Sequence, residues 1–221
     1  MLFRSVFLLA RRVPAPVATA QAQKEAADGS WIDRGVLLAT GLNLCTSLVN
    51  PAIIAFTPLY ARSLGVTSIE WFYIVSGVVS VLLQPLLGRM ADTVGYALAI
   101  GLGLAAQLAG LVLIIASEGI GLLITGGLFA AIGIVLIGSM TTALAMEQAD
   151  PRHRGRAMAT YSMSWQFGAG AGALMAGGLA DLTGFRGMYV GCGVITLIGL
   201  ATLALKWRSL SPPAASGGSA R

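Results

Sequence analysis

Charge is the scarcest property of this chain. Only 10% of its 221 residues are Asp, Glu, Lys or Arg, where a soluble domain carries about 25%. So thin a supply cannot cover the surface of a water-soluble core, and 56% of the residues are apolar. Most of the chain must therefore have lipid as its solvent. The one histidine, His153, sits in a charged stretch, so an intramembrane catalytic pair of the serine-protease kind has no base to draw on. The two cysteines, Cys45 and Cys192, lie in separate apolar runs without CxxC spacing. They read as small buried side chains, and no metal or cofactor is expected. No Asp, Glu, Lys, Arg or His occupies the middle of a long apolar run, so the chain offers no proton-relay carboxylate of its own. The net charge of +5 is carried beside apolar runs, which points to membrane topology and away from nucleic acid.

What the chain has in abundance is long apolar segments. Six follow one another, at about 35–61, 71–88, 96–116, 119–145, 156–180 and 187–207. Each is long enough to span a bilayer as a helix, since lipid leaves backbone groups no partner but their own helix. Barrel strands of about ten alternating residues do not fit this pattern. The expected fold class is an all-α integral membrane protein, a six-transmembrane-helix bundle over 35–207. Residues 1–12 are too short to span and read as the remnant of a preceding helix. Residues 13–34 are a polar linker, and 208–221, rich in Pro, Gly and Ser, a disordered tail.

Lys and Arg give the orientation. With the linker inside, 12 fall on its side and 2, Arg62 and Arg186, on the other. The positive-inside rule then places both termini in the cytoplasm, with a bacterial inner (plasma) membrane as the expected setting. Small residues recur every four positions, as Gly168, Gly172, Ala176 and Ala180 in the fifth span and Ala97, Gly101, Ala105 and Ala109 in the third. Such stripes let helices approach closely in lipid, and close packing inside one bundle is the expected use.

Polar residues inside the spans mark candidate cavity walls. Asn43, Thr46, Ser47 and Asn50 share one face of the first span, and Pro51 then predicts a kink. Ser76, Ser80 and Gln84 form a second stripe. Thr142 lies in the fourth span, and Thr160, Tyr161, Ser164, Trp165 and Gln166 lie in the fifth. Asn43, Ser47, Asn50, Gln84, Trp165 and Gln166 are the candidate cavity residues. Gln107, alone on the third span, reads as packing.

Two charged junctions remain. Gly88–Tyr96 (GRMADTVGY) reads as a tight loop between the second and third spans, and Glu147–Arg156 (EQADPRHRGR) joins the fourth to the fifth. Both fall on the linker side, where Asp92 and Glu147 could meet Arg154 or Arg156. These junctions resemble motifs of the major facilitator superfamily. Gly88-x3-Asp92-x2-Gly95 is similar to that family's loop motif, Glu147-x6-Arg154-Gly155 to its partner motif, and Gly177–Arg186 (GGLADLTGFR) to the end of its penultimate helix.

The resemblance covers about 35–207 and implies the C-terminal six-helix half of the fold. The first, second, fourth and fifth spans would then line a central cavity. Gly88, Arg89, Asp92, Gly95, Glu147, Arg154 and Arg156 would form a cytoplasmic gate. Thr93 and Tyr96 stand where the family often has basic residues, a thinner gate than the pattern. The implied function is secondary active transport of a small solute by alternating access, with efflux favoured. The implied partners are the lipid bilayer and either a missing N-terminal half or a second half-chain, because the family binds substrate between two six-helix halves. The remnant at 1–12 favours a fragment. The alternative is a non-transporting scaffold or assembly subunit that binds a partner through its small-residue faces.

Overall fold

The computed structural model describes residues 36–66, 68–150 and 154–206, and within these the side chains of 86 and 88–93 are not described. The expected linker 13–34, the remnant 1–12 and the tail 208–221 lie outside the described residues. The described chain is helical, without strands. Helix α1 is Leu37–Pro51, followed by a π-helical turn, Ala52–Phe56, and helix α2, Thr57–Ser63. Helix α3 is Glu70–Val94, α4 Tyr96–Ile115, α5 Ile120–Gln148 and α6 Arg154–Leu205.

Four stretches are long and apolar enough to cross a membrane: Leu37–Ser63, Tyr96–Ile115, Ile120–Gln148 and Arg154–Leu205. The last has 52 residues and breaks at Gly184, where φ is 75° and ψ 176°. It is therefore two antiparallel arms, 154–183 and 185–205. Helix α3 has 25 residues, which at 1.5 Å each reaches about 37 Å, also enough to span. With α3 counted and α6 divided, the apolar segments account for an all-α membrane bundle of six spans.

The ends of the helices differ from expectation in one informative place. The loop expected over Gly88–Tyr96 is helical as far as Val94, and the reversal is made by Gly95 alone, at φ 81° and ψ 156°. Nothing in Met90–Val94 stops a helix, whereas a positive φ is strained for any residue but glycine. At the opposite end, Gly65 (φ 76°) closes α2. There the Val66 N–H reaches the Ala61 carbonyl at 2.9 Å and the Gly65 N–H the Arg62 carbonyl at 3.0 Å, the paired bonds of a Schellman cap.

The kink expected at Pro51 takes the form of the π-turn that follows it. Its carbonyls are covered by side chains. The Tyr73 hydroxyl of α3 donates to Ile54 O at 2.6 Å, Thr57 donates to Ile53 O at 2.5 Å, and Tyr189 of the second α6 arm lies 3.3 Å from Ala52 O and 2.9 Å from the Thr57 hydroxyl.

Glycine sets the closest approaches. Helices α4 and α5 run antiparallel, with Gly103 opposite Gly133 and Gly110 opposite Gly126. A Cβ on Gly110 would stand 2.6 Å from the Ala130 nitrogen and the Gly126 oxygen, and one on Gly133 2.6 Å from the Gly103 oxygen. On the first α6 arm, Gly168 meets Ser47 and Gly172 meets the Leu48 backbone of α1, so that part of the expected ribbon packs inside the bundle. The expected stripe on α4 does not serve this purpose. Ala97 is buried, but Ala105 and Ala109 are exposed, and the seam runs through Gly103 and Gly110 instead.

Candidate functional site

Helix α1 lies between α6 and α5, and α5 in turn packs on α3. Two open grooves follow this seam. The first, about 480 Å³, is bounded by Asn43 of α1, Gly138 and Thr142 of α5, and Tyr161, Ser162, Trp165 and Gln166 of α6. The second, about 250 Å³, lies nearer the Gly184 end, where Asn50, Ile53 and Ile54 meet Tyr73, Ser76 and Ser80 of α3 and Gly127–Val135 of α5. Asn43 and Asn50 are two turns apart on one face, about 10 Å along the helix, so each serves one groove.

The Asn43 side chain is only 1% exposed and is held at both ends. Its oxygen accepts from the Tyr161 hydroxyl at 3.1 Å, and its nitrogen donates to Ser164 Oγ at 3.0 Å. Ser164 donates to the Tyr161 carbonyl at 2.6 Å. Thr141 and Thr142 of α5 each bring a hydroxyl to 2.9 Å from the Tyr161 oxygen. Three helices thus meet at one phenol. In lipid such cross-helix bonds contribute about 0.6 kcal/mol each on average. A cluster of them between α1, α5 and α6 fixes the groove wall in a single arrangement.

The candidate residues divide by position. Asn43, Trp165 and Gln166 line the larger groove, and Asn50 the smaller. Ser47 does not line either. It is fully buried, donating to the Leu44 and Ser164 carbonyls at 3.0 and 3.3 Å, and it closes α1 onto α6. The stripe 43/46/47/50 is as wide as the helix face, and the close approach at Gly168 turns its Ser47 edge inward. Gln84 is exposed on α3, one turn beyond Ser80 on the stripe that borders the smaller groove. Tyr161 was legible only as a polar position, and Thr141 not at all. Each helical threonine hydroxyl has a carbonyl of its own helix to bond, so the sequence carries no sign of its tertiary partner.

At the end of the bundle marked by Gly95 and Gln148, the side chains of Gly88, Arg89 and Asp92 are outside the described set. Glu147 and Arg154 are exposed, and Arg156 is half-buried. No ion pair among the described residues joins Glu147 to either arginine. The Arg156 Nε and Nη1 atoms are buried without a partner among the described residues. A guanidinium in that condition presents a strong site for a carboxylate. At the other end Arg186 Nε and the Ser117 carbonyl each lie 3.5 Å from the Tyr60 hydroxyl, whose ring packs on Phe185 and Tyr189.

Among the described residues no group of His, Cys, Asp or Glu could hold a metal ion.

Comparison with known proteins gives the family and the fold. The sequence is 24% identical over 159 residues to an uncharacterized MFS-type transporter of Methanocaldococcus jannaschii, covering 71% of this chain and 41% of that protein. It is 26% identical over 159 residues to MFS transporter L2 of a Phoma species, covering 69% of this chain and 27% of that one. The fold matches a crystal structure of the peptide transporter POT in complex with sulfate, with a TM-score of 0.68 at 16% identity over 80% of this chain and 38% of the transporter. The chain thus spans less than half the length of each of these proteins. The description of the Major Facilitator Superfamily matches residues 6–221, nearly the whole sequence, and the chain belongs to that superfamily.

Proposed function

We propose that this chain forms one half of a secondary transporter that moves a small solute across the membrane by alternating access. The observation that carries this reading is the pair of largely apolar grooves on either side of α1, each with a few polar side chains in its wall, Asn43 under one and Asn50 in the other. Large apolar side chains flank them without cover: Val81 and Leu82 of α3, and Phe167 and Leu174 of α6, are 63–81% exposed. A second six-helix bundle laid over α3 and the first α6 arm would cover that surface and close the grooves into a central cavity. The share of each relative that this chain spans leaves room for such a bundle.

In this reading Asn43, Asn50, Trp165 and Gln166 face the solute, and Gln84 extends the wall of the smaller groove. Gly88, Arg89, Asp92, Gly95, Glu147, Arg154 and Arg156 form the gate at the cytoplasmic end. The two unpartnered nitrogens of Arg156 support that assignment, with Asp92 as the carboxylate they receive when the gate is shut. The excess of Lys and Arg on one side supports cytoplasmic termini. Export is the assigned direction, on the resemblance of the sequence motifs.

The test is solute export from cells that express this chain with a six-helix N-terminal half. Fluorescent uncharged amphiphiles serve as reporters. The reading expects lowered accumulation, restored to the control level by Asn50→Leu and by Asp92→Asn in proteins that insert normally. A scaffold would lower accumulation of none of them, and flux unchanged in Asn50→Leu would remove that residue from the path.

A further inference from the structure

Thr141, Thr142 and Tyr161 bring three hydroxyl protons to one place. The Thr141 proton has the Ile137 carbonyl at 2.6 Å, and the Thr142 proton has the Gly138 carbonyl at 2.6 Å, with the Tyr161 oxygen as its other acceptor at 2.9 Å. These short bonds within α5 engage both threonines. The Tyr161 proton remains, with three acceptors in reach: Thr141 Oγ1 at 2.9 Å, Asn43 Oδ1 at 3.1 Å and the Gly138 carbonyl at 3.2 Å. A single phenol proton cannot serve all three. Ser164, meanwhile, gives its proton to the Tyr161 carbonyl, so its Oγ accepts from Asn43 Nδ2. The carboxamide is therefore oriented with its oxygen toward Tyr161, and that oxygen holds the most contested bond of the cluster.

We propose that Tyr161 is a positioning residue that hands the Asn43 oxygen over to the solute. A neutral solute bearing an N–H or O–H donor bonds Asn43 Oδ1 while the Tyr161 proton turns to Thr141 Oγ1 or to the Gly138 carbonyl. No proton leaves its own oxygen. One internal hydrogen bond is exchanged for another, and the solute's bond is added. A solute of the same shape without a donor leaves the cluster as it stands and gains nothing. Selection for a donor is thus built into the wall, since a buried acceptor rejects a partner that cannot reach it. The residues lining this groove carry hydroxyl, amide and ring groups and no carboxylate, ammonium or guanidinium, which suits an uncharged ring-bearing molecule. The inference rests on the larger groove being the solute site.

Indole and benzofuran test it, being bicycles of one shape that differ in a single N–H donor. Their binding to the 221-residue chain assembled with a six-helix N-terminal half in lipid nanodiscs is followed by ligand-observed NMR. Wild type is expected to prefer indole by about threefold to tenfold, the equivalent of one net hydrogen bond. Tyr161→Phe leaves the Asn43 oxygen without its internal donor. It should widen the preference about threefold further, with benzofuran binding unchanged. Thr141→Val removes a landing place for the Tyr161 proton and should narrow it. A merely structural Tyr161 would weaken both probes alike. Binding of both probes with a preference that neither substitution moves overturns the hand-over and leaves the groove standing. Absence of saturable binding by wild type, or binding unaffected by Trp165→Ala, overturns the groove as solute site and the hand-over with it. Should Tyr161→Phe fail to fold, Thr141→Val alone decides.

Discussion

The Tyr73 hydroxyl donates to the Ile54 carbonyl at 2.6 Å, in the π-turn where Pro58 denies that carbonyl an α-helical partner. An α-helical carbonyl takes the N–H four residues on, and proline has none. One residue of the first span therefore determines how α3 is tied to it. Pro58→Ala would supply the missing N–H. Tyr73→Phe is expected to destabilise the native protein by about 1 kcal/mol and to cost less than half as much in the Pro58→Ala background. Denaturation in mixed micelles, run as a double-mutant cycle, measures the difference. Equal costs in the two backgrounds would dissociate the tyrosine from the proline.

The glycine seam predicts a steep contrast between positions of one residue type. A Cβ at Gly110 meets backbone of α5 at 2.6 Å, whereas one at Gly178 meets nothing within 4 Å. Gly110→Ala must push α4 and α5 apart and is expected to cost about 1–3 kcal/mol, as overpacking does. Gly178→Ala should be neutral or stabilising by up to about 1 kcal/mol, through helix propensity alone. The same micelle titration checks both.

Gln107 gives the opposite kind of prediction. It is fully buried on α4, beside Gly133, and neither amide atom has a hydrogen-bond partner among the described residues. An unsatisfied buried polar group costs about 1–3 kcal/mol. Gln107→Leu keeps nearly the same volume and is expected to raise the unfolding midpoint without changing transport. A lowered midpoint would mean that the amide has a partner in another state of the protein.

The readable and unreadable parts of this molecule separate along physical lines. Six spans could be read because hydrocarbon thickness imposes a run of about 20 apolar residues on each. Asn43, Asn50, Trp165 and Gln166 could be read as groove residues because amides and indoles in lipid need a partner or water. Ser47 is buried on the same stripe, and a stripe shows a face but not where its edge meets a neighbour. The reversal at Gly95 was drawn too wide because charge in Gly88–Tyr96 suggested a loop, while charged residues at a helix end are compatible with helix. The seam of Gly103, Gly110, Gly126 and Gly133 does not show as a four-residue repeat, since its spacing is seven. Its antiparallel register appears only when α4 and α5 are laid side by side. The Tyr161 cluster joins residues up to 121 apart in sequence, and no local pattern announces such a meeting.

In the proposed transporter the Asn43 face of the bundle borders water inside the membrane. Thiol labelling tests it most directly, because a maleimide needs an ionised, hydrated thiol. In a Cys45→Ser, Cys192→Ala background, Ser162→Cys and Gln166→Cys place thiols at the larger groove. Val112→Cys and Leu197→Cys place them on exposed faces of α4 and the second α6 arm, away from the grooves. With the partner half present, a membrane-impermeant maleimide is expected to label positions 162 and 166 and to spare 112 and 197. Protection of 162 and 166 to the same degree as the lipid-facing pair would contradict the account.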